Sequence, residues 1–324
     1  MKHILINDFK LKQPKLDTPK YLQLEKVKLH RARVLESANQ IFQILNAGHE
    51  IVGIDCEMFE FDQSKTTEIG IGYITQFGLR VEHIIISDYY KLRNKKRVPD
   101  NKDNFIYGKS IRMTLKQAQE YVKNIFINAK YIYGHALKND LKQLGVNTAG
   151  QLKFDTSTLH TRFTVAKDGI HTTKKTRLST LCEIYAPHLK STPYHNAGND
   201  IYVTGAVLKA QGDPDNVVQI LGHLDEQHMI QRYHDDEIKR LLAIIPSMKL
   251  SINSLMEKSG LTFEQMFNDQ TLIDSILSMH QNIYRRMHKY GDINYWSERV
   301  NLGVLDEFFK RTKLIPYLQV NQTE

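Results

Sequence analysis

Residues 53–60 read GIDCEMFE and place two carboxylates, Asp55 and Glu57, one residue apart at the end of an apolar run. The stretch HEIVGID has the pattern of a short buried strand, in which residues i and i+2 share a face. Asp55 and Glu57 then stand side by side, with Cys56 turned the other way. Like charges that close repel and raise each other's pKa unless a cation lies between them. Two later stretches add to the pair. In YGHALKNDLKQLG, Asp140 falls near the start of a helix just beyond a strand, where an open sheet gathers its ligands. In YHNAGNDIYVTGAVL, His195 and Asp200 lie five residues apart at a loop-to-helix junction. Hard oxygen ligands suit Mg²⁺ or Mn²⁺, whereas zinc wants more histidine or cysteine. Two such ions about 3.5–4 Å apart activate a water and stabilise the departing oxygen of a phosphodiester. A histidine beside that water is a suitable general base, since its pKa lies near neutrality. Singly, each residue has an ordinary alternative as a solvated strand end, a helix cap, a first-turn aspartate or a loop histidine. Their joint order and context point to phosphoryl hydrolysis.

The elements that must position these groups are legible in the hydrophobic period. Residues 1–22 hold prolines and lysines without apolar periodicity and read as an arm, and LEKVKLHRARVLESANQIFQIL follows at helical spacing. EIVGID, TTEIGIGYIT and LRVEHIIIS predict three strands joined by short links, an antiparallel meander. The period then changes. TLKQAQEYVKNIFINA predicts an amphipathic helix capped by Thr114, followed by strand YIYGH, a helix at LKNDLKQLG and strand QLKFDTS. LSTLCEIYA and NDIYVTGAVLKAQG predict two further helices. The expected fold class is α/β, a mixed five-stranded sheet flanked by helices. From Asp213 onward the patterns are helical only, giving an arm and helix over 1–48, a catalytic domain over 49–212 and a helical domain over 213–324.

Charge narrows the partner. Residues 1–212 carry 32 Lys and Arg against 20 Asp and Glu, and the remainder carries 12 against 16. Nucleic acid is the usual partner of so basic a surface, because each neutralised phosphate releases counterions. Residues 89–112, YYKLRNKKRVPDNKDNFIYGKSIR, concentrate eight basic and two acidic side chains with Tyr89, Tyr90, Phe105 and Tyr107 interleaved, and a connection this long is usually functional or disordered. Lys91, Arg93, Lys95, Lys96, Arg97 and Lys102 are the expected phosphate contacts. RFTVAKDGIHTTKKTR reads as a second basic loop. Two cysteines are too few for a disulfide framework, no run of about 18 apolar residues could span a bilayer, and MKHILINDFKLKQPK lacks a signal-peptide core. An intracellular setting is expected, cytoplasmic or, in a eukaryote, nuclear.

The order of DCE, GHALKND and HNAGND resembles the DEDDh (DnaQ-like) 3′ to 5′ exonucleases of the ribonuclease H-like fold, over residues 50–212. DCEM is similar to the first motif of eukaryotic RNA exonucleases. HNAGND, with TEIG at 67–70 and the RN, PD, F, YG and S of the long insert, resembles a fungal subgroup. The resemblance implies Asp55, Glu57, Asp140 and Asp200 as ligands of two Mg²⁺ ions, with Mn²⁺ substituting, and His195 as the base. It also implies single-stranded nucleic acid with a free 3′ end as substrate, RNA favoured over DNA. The chain departs from the family after its first motif, where Met58 and Phe59 are bulky; Met58 is placed to wedge against the terminal base. His135 reads as a packing residue behind the site. Two rival readings are an inactive module that binds nucleic acid or protein, and a hydrolase of nucleotides or very short oligonucleotides. The helices after 213 are expected to serve packing, self-association or a protein partner.

Overall fold

The computed structural model describes residues 20–171 and 175–260, with a few single positions up to 290. Leu22–Glu226 form one compact unit, and Met1–Tyr21 with Gln227–Glu324 form the other.

The first unit is built on a six-stranded mixed sheet. Strands β1 (Ile51–Phe59), β2 (Asp62–Thr75) and β3 (Gly78–Ile86) make the antiparallel meander; β4 (Ser110–Met113), β5 (Tyr131–Gly134) and β6 (Leu152–Asp155) join it in parallel. Their spatial order is β4-β3-β2-β1-β5-β6. The sequence anticipates five of these strands. The sixth, β4, lies inside the stretch read as one long connection, and its mostly exposed SIRM shows no apolar alternation to betray it.

Both faces of the sheet are covered. Helix α1 (Leu24–Asn46) precedes β1, and α2 (Leu115–Asn128) and α3 (Lys138–Gln143) follow β4 and β5. Then come α4 (Thr156–Asp168), α5 (Leu178–Tyr185), α6 (Ala197–Gln211) and α7 (Pro214–Leu221). Val52, Ile54 and Cys56 of β1 pack with Ala118, Val122 and Phe126 of α2 and with Leu141 of α3. Ile51, of the opposite parity, packs with Ile41 and Ile44 of α1, Leu159 of α4 and Ile201 and Leu208 of α6. Asp55 and Glu57 continue the parity of Ile51 and so face the α6 layer. Thr114 caps α2 in a reciprocal capping box with Gln117, as its sequence predicts.

Helix α6 is buried almost all round, through Ala197, Gly198, Asn199, Asp200, Ile201, Val203, Thr204, Gly205, Val207, Leu208 and Gln211. It sits close because β2 presents glycines to it. A Cβ on Gly70 would fall 2.0 Å from the Ala197 carbonyl oxygen, and one on Gly72 2.0 Å from the Tyr133 hydroxyl. That hydroxyl donates to the Ile201 carbonyl at 3.4 Å.

Two expectations change. RFTVAK is the second half of α4, not loop: Asp155 accepts the Ser157 and Thr158 amides as N-cap, and Gly169 ends the helix at φ +67°. Only the residues after it connect to α5. The compact unit also runs past Gly212, because α7 packs on α1 and α4 through Val217 and Leu221. Arg31 of α1 donates to the Leu221 and Gly222 carbonyls at 3.2 and 2.5 Å, closing the end of α7.

Helix α8 (Glu226–Ser259), which belongs to the second unit from Gln227 onward, is long and carries an Arg240–Asp236 pair at 2.8 Å. Glu237 pairs with Arg286 at 2.5 Å, and Thr262 and Gln265 exchange the reciprocal bonds of a capping box. Most of the helical patterns beyond 260 lie outside the described residues.

Candidate active site

Asp55 and Glu57 stand opposite Gly70 and Glu68 of β2, and the register slips on either side of Met58. This bulge ends regular pairing just past the acidic pair, a common device beside active sites. Asp200 arrives from the first turn of α6, whose N-cap Asn196 accepts the Asn199 amide through its side chain and the Asp200 amide, at 2.9 Å, through its carbonyl. Carboxylate oxygens of Asp55, Glu57 and Asp200 all lie within 4.8 Å of one another. Asp140, in the first turn of α3, stands outside that triad, yet its charge is felt at Asp55 and its carboxylate accepts the Cys56 amide.

Burial pushes the Asp55 and Asp200 carboxyls well up, and their acidic neighbours add to it. Asp140 is raised to about 7, chiefly by burial, with the Cys56 amide opposing. Asp200 Oδ2 accepts the His195 amide at 3.1 Å, while Oδ1 is buried with no hydrogen-bond partner. A buried, unpartnered carboxylate oxygen is costly on its own. In a residue whose carboxylate lies among those of two other acids, it fits a hard divalent cation, which Asp55, Glu57 and Asp200 could hold, with Asp140 beside them.

His195 takes the left-handed backbone conformation, φ +64°. Its ring is 42% exposed, with Nδ1 3.7 Å from Glu57 Oε1, an ion pair longer than a hydrogen bond. Glu57 raises its pKa against the opposing effect of burial. The imidazole therefore sits at the rim of the acidic cluster with its other nitrogen, Nε2, free of that pair.

These pKa shifts give a stability prediction. A carboxyl whose folded pKa exceeds its unfolded value contributes stability below the unfolded pKa, about 3.9, and loses it as pH rises through the folded one. Without metal, the protein should weaken as pH climbs past about 4 through 7, the Asp140 value. Asp140→Asn should then be more stable than the wild type at pH 8 in EDTA by about 0.5–2 kcal/mol. The gain should shrink at pH 5 and vanish only below about pH 4, under the unfolded pKa. Urea denaturation at the two pH values checks this, and a variant weaker than wild type at pH 8 contradicts it.

One buried acid escaped the sequence reading. Glu68, directly across from Glu57, has its Oε2 3.0 Å from His83 Nε2, while His83 Nδ1 meets Ser110 Oγ at 2.8 Å. The TEIG string held the signal, since an acid at the parity of two close-packing glycines must face α6. Asp155 and His135 support the site from behind. Asp155 Oδ2 accepts the Leu137 amide at 3.1 Å, fixing the approach to α3, and His135 Nδ1 meets Thr156 Oγ1 at 3.0 Å.

The basic insert is bolted to α6. Asn196 Nδ2 donates to the Asn101 and Lys102 carbonyls at 3.0 and 3.2 Å. Asn199 Nδ2 donates to Asn104 O at 2.8 Å, and its Oδ1 accepts the Ile106 amide at 3.1 Å. A Cβ on Gly198 would meet Phe105 and His83 within 2.8 Å. HNAGND thus combines His195 and Asp200 with side chains that hold the insert.

The insert corrects two expected phosphate contacts. Lys102 is 2% exposed and its ammonium donates to the Leu92 and Tyr90 carbonyls at 2.6 and 3.4 Å, so it braces the loop. Arg93 is engaged by Asp100 and by Asp103, the latter at 2.7 Å. Lys91, Lys95, Lys96 and Arg97 are exposed. Met58 packs half-buried against the α2 core, on the face away from Asp55 and Glu57, which removes it from the expected wedge position.

Comparison with known proteins agrees with this geometry. The sequence model of the DEDDh_C family, described as DNA polymerase III subunit epsilon-like, C-terminal domain, matches residues 50–211. The chain belongs to the DEDDh family. All four acids and the histidine fall inside the matched span. An uncharacterized Saccharomyces cerevisiae protein is 29% identical over 199 residues, 49% of this chain and 40% of its own length. An uncharacterized nucleolar protein of Schizosaccharomyces pombe is 27% identical over 172 residues, 51% of this chain and 70% of that protein. Good for full DBP5 activity protein 2 of Saccharomyces cerevisiae is 30% identical over 113 residues, 28% of this chain and 20% of that protein. Among the described residues of this DEDDh protein, no helix is long and apolar enough to cross a membrane.

Proposed function

We propose that this DEDDh protein is a metal-dependent 3′ to 5′ exonuclease acting on single-stranded nucleic acid, RNA in preference to DNA. One observation carries the reading: three acids converge within 4.8 Å, one with an unpartnered buried oxygen, and a half-exposed histidine stands at their rim. Asp55, Glu57, Asp200 and Asp140 would hold two Mg²⁺ ions, or Mn²⁺, which supply an activated water and stabilise the leaving oxygen. The rest falls to the chain's own groups. Glu57 orients the His195 ring through Nδ1, leaving Nε2 to accept the proton of the attacking water. The left-handed turn at His195 and its amide bond to Asp200 keep the base beside the acids. The exposed Lys91, Lys95, Lys96 and Arg97 would draw the phosphates of the strand toward that point. The intact acidic set and histidine argue against an inactive binding module, and the basic insert against a hydrolase of free nucleotides. The name of the fission yeast relative supports a nuclear setting. Helix α8 and the residues after it are then available for a protein partner or self-association.

The test uses matched RNA and DNA oligonucleotides with Mg²⁺, Mn²⁺ or EDTA. Stepwise shortening from the 3′ end of a 5′-labelled RNA is expected, faster than for DNA, stopped by a 3′-terminal phosphate block and by EDTA. Cleavage that ignores the 3′ block, or release of internal fragments first, would overturn the polarity assigned here.

A further inference from the structure

Past Glu57 the chain turns at a hairpin tip formed by Glu60 and Phe61. Phe61 is 54% exposed and meets Phe59 edge-on at 5.4 Å between centroids. The Lys96 ammonium and Arg97 guanidinium lie 5.5 and 5.7 Å from its ring centroid. Single exposed aromatics are common on protein surfaces, and Phe77 is more exposed still at 91%. Phe77, however, lies in the β2–β3 turn, at the end of the sheet away from the carboxylates. Phe61 is four residues beyond Glu57, a reach of at most about 14 Å even in a fully extended chain.

The arrangement is held from beneath. Glu60 is 6% exposed, and its carboxylate accepts the amides of Lys95, Lys96 and Arg97 at 3.1, 3.0 and 2.7 Å. Asn94 accepts the Glu60 amide at 2.9 Å and donates to the Met58 carbonyl at 3.0 Å. The hairpin tip and the basic loop are therefore one body. With the loop amides taken up by Glu60, what is left to solvent is the cationic side chains of Lys95, Lys96 and Arg97 and an aromatic ring, which Lys96 and Arg97 flank.

We propose that Phe61, Lys96 and Arg97 form a preformed platform for a single-stranded nucleic acid, the ring stacking on one base a few nucleotides from the cleavage point and the cations meeting the flanking phosphates. Stacking of this kind tolerates any base, because every base has a π face, and combines with a positively charged track in single-strand readers. A duplex hides those faces in its own stack. Charge complementarity selects a polyanion over a protein. The proposal rests on the nuclease reading for its substrate, but its signature is different: dependence on strand length.

The experiment compares wild type, Phe61→Ala, Phe61→Trp, Phe61→Leu and Lys96→Ala/Arg97→Ala. Affinity for labelled RNA oligonucleotides of increasing length is read by anisotropy with Ca²⁺ in place of Mg²⁺, and kcat/KM with Mg²⁺ on the same series. Phe61→Ala should weaken binding of the longer strands about 5- to 100-fold, the scale of one lost stacked base. The penalty in kcat/KM should grow from the dinucleotide upward. Tryptophan should restore it and leucine should not. Lys96→Ala/Arg97→Ala should flatten the log–log salt slope by about 1.4, 0.7 for each lost contact. A Phe61→Ala penalty that is absent or equal at all lengths, or a leucine variant equal to wild type, overturns the platform and leaves the nuclease standing. A wild type that cleaves dinucleotides but binds longer strands no better also overturns it. A wild type that binds strands through Phe61 yet cleaves nothing supports the platform and defeats the nuclease reading. One that does neither defeats both.

Discussion

Asp200→Ala should abolish hydrolysis while the protein still folds. Its carboxylate is buried at the first turn of α6, with one oxygen tied to the His195 amide, the other unpartnered, and Asp55 and Glu57 within 4.8 Å. Removing it takes away a proposed metal ligand and frees the loop that carries His195. Groups that work as a unit fail as a unit, so the expected loss in single-turnover rate is about 10⁴-fold or more. Asp55→Ala, Glu57→Ala and Asp140→Ala should behave alike, and EDTA should do the same to the wild type. Circular dichroism would show the fold retained, because α6 is still seated through Ile201, Val203, Val207 and Leu208, all buried. Near-normal turnover in Asp200→Ala would remove this centre from the chemistry.

His195→Ala should lose about 10² to 10⁴ in turnover, the usual contribution of a general base, with metal affinity largely kept because the ligands are carboxylates. The pH profile is the sharper reading. If the neutral imidazole takes the proton, the rate rises with pH through the His195 pKa and then levels off. Glu57 holds that pKa above the ordinary histidine value in the metal-free protein. A cation on Glu57 offsets the attraction, so the histidine midpoint followed by NMR should fall when metal is added. The alanine variant should lack the rising limb under chemistry-limited conditions. A variant with full turnover and an unchanged profile would move the base to another group and leave the acidic cluster standing.

The convergence of Asp55, Glu57 and Asp200 was legible because acids at fixed offsets in predicted elements must meet at one end of the sheet. Asp55 and Glu57 follow from strand parity, and the hydrophobic period gives five strands and the helices that carry Asp140 and Asp200. The rest was hidden where polar residues are used against type. Lys102 reads as a surface cation, and only the fold shows its ammonium spent on carbonyls of its own loop. Glu68 is one residue of the TEIG string and goes unmarked until its register with Glu57 and its contact with His83 are known. Met58 follows the acids in sequence, yet pleating turns it to the other face. Strand β4 is four residues long, and so short an exposed edge strand has no pattern to read.

The glycines of β2 carry a consequence for how finely the centre is set. Where side chains separate a helix from a sheet, small errors relax by changes of rotamer. At Gly70 the Ala197 carbonyl rests on bare backbone, so there is no rotamer to adjust, and any added carbon there must lift the first turn of α6 bodily. Asp200 rides on that turn. A misplacement near 1 Å is enough to cost about 100-fold in a reaction that depends on alignment. The mechanical tolerance of the cluster is thus governed by two residues with no side chain, in a strand that contributes none of its proposed ligands.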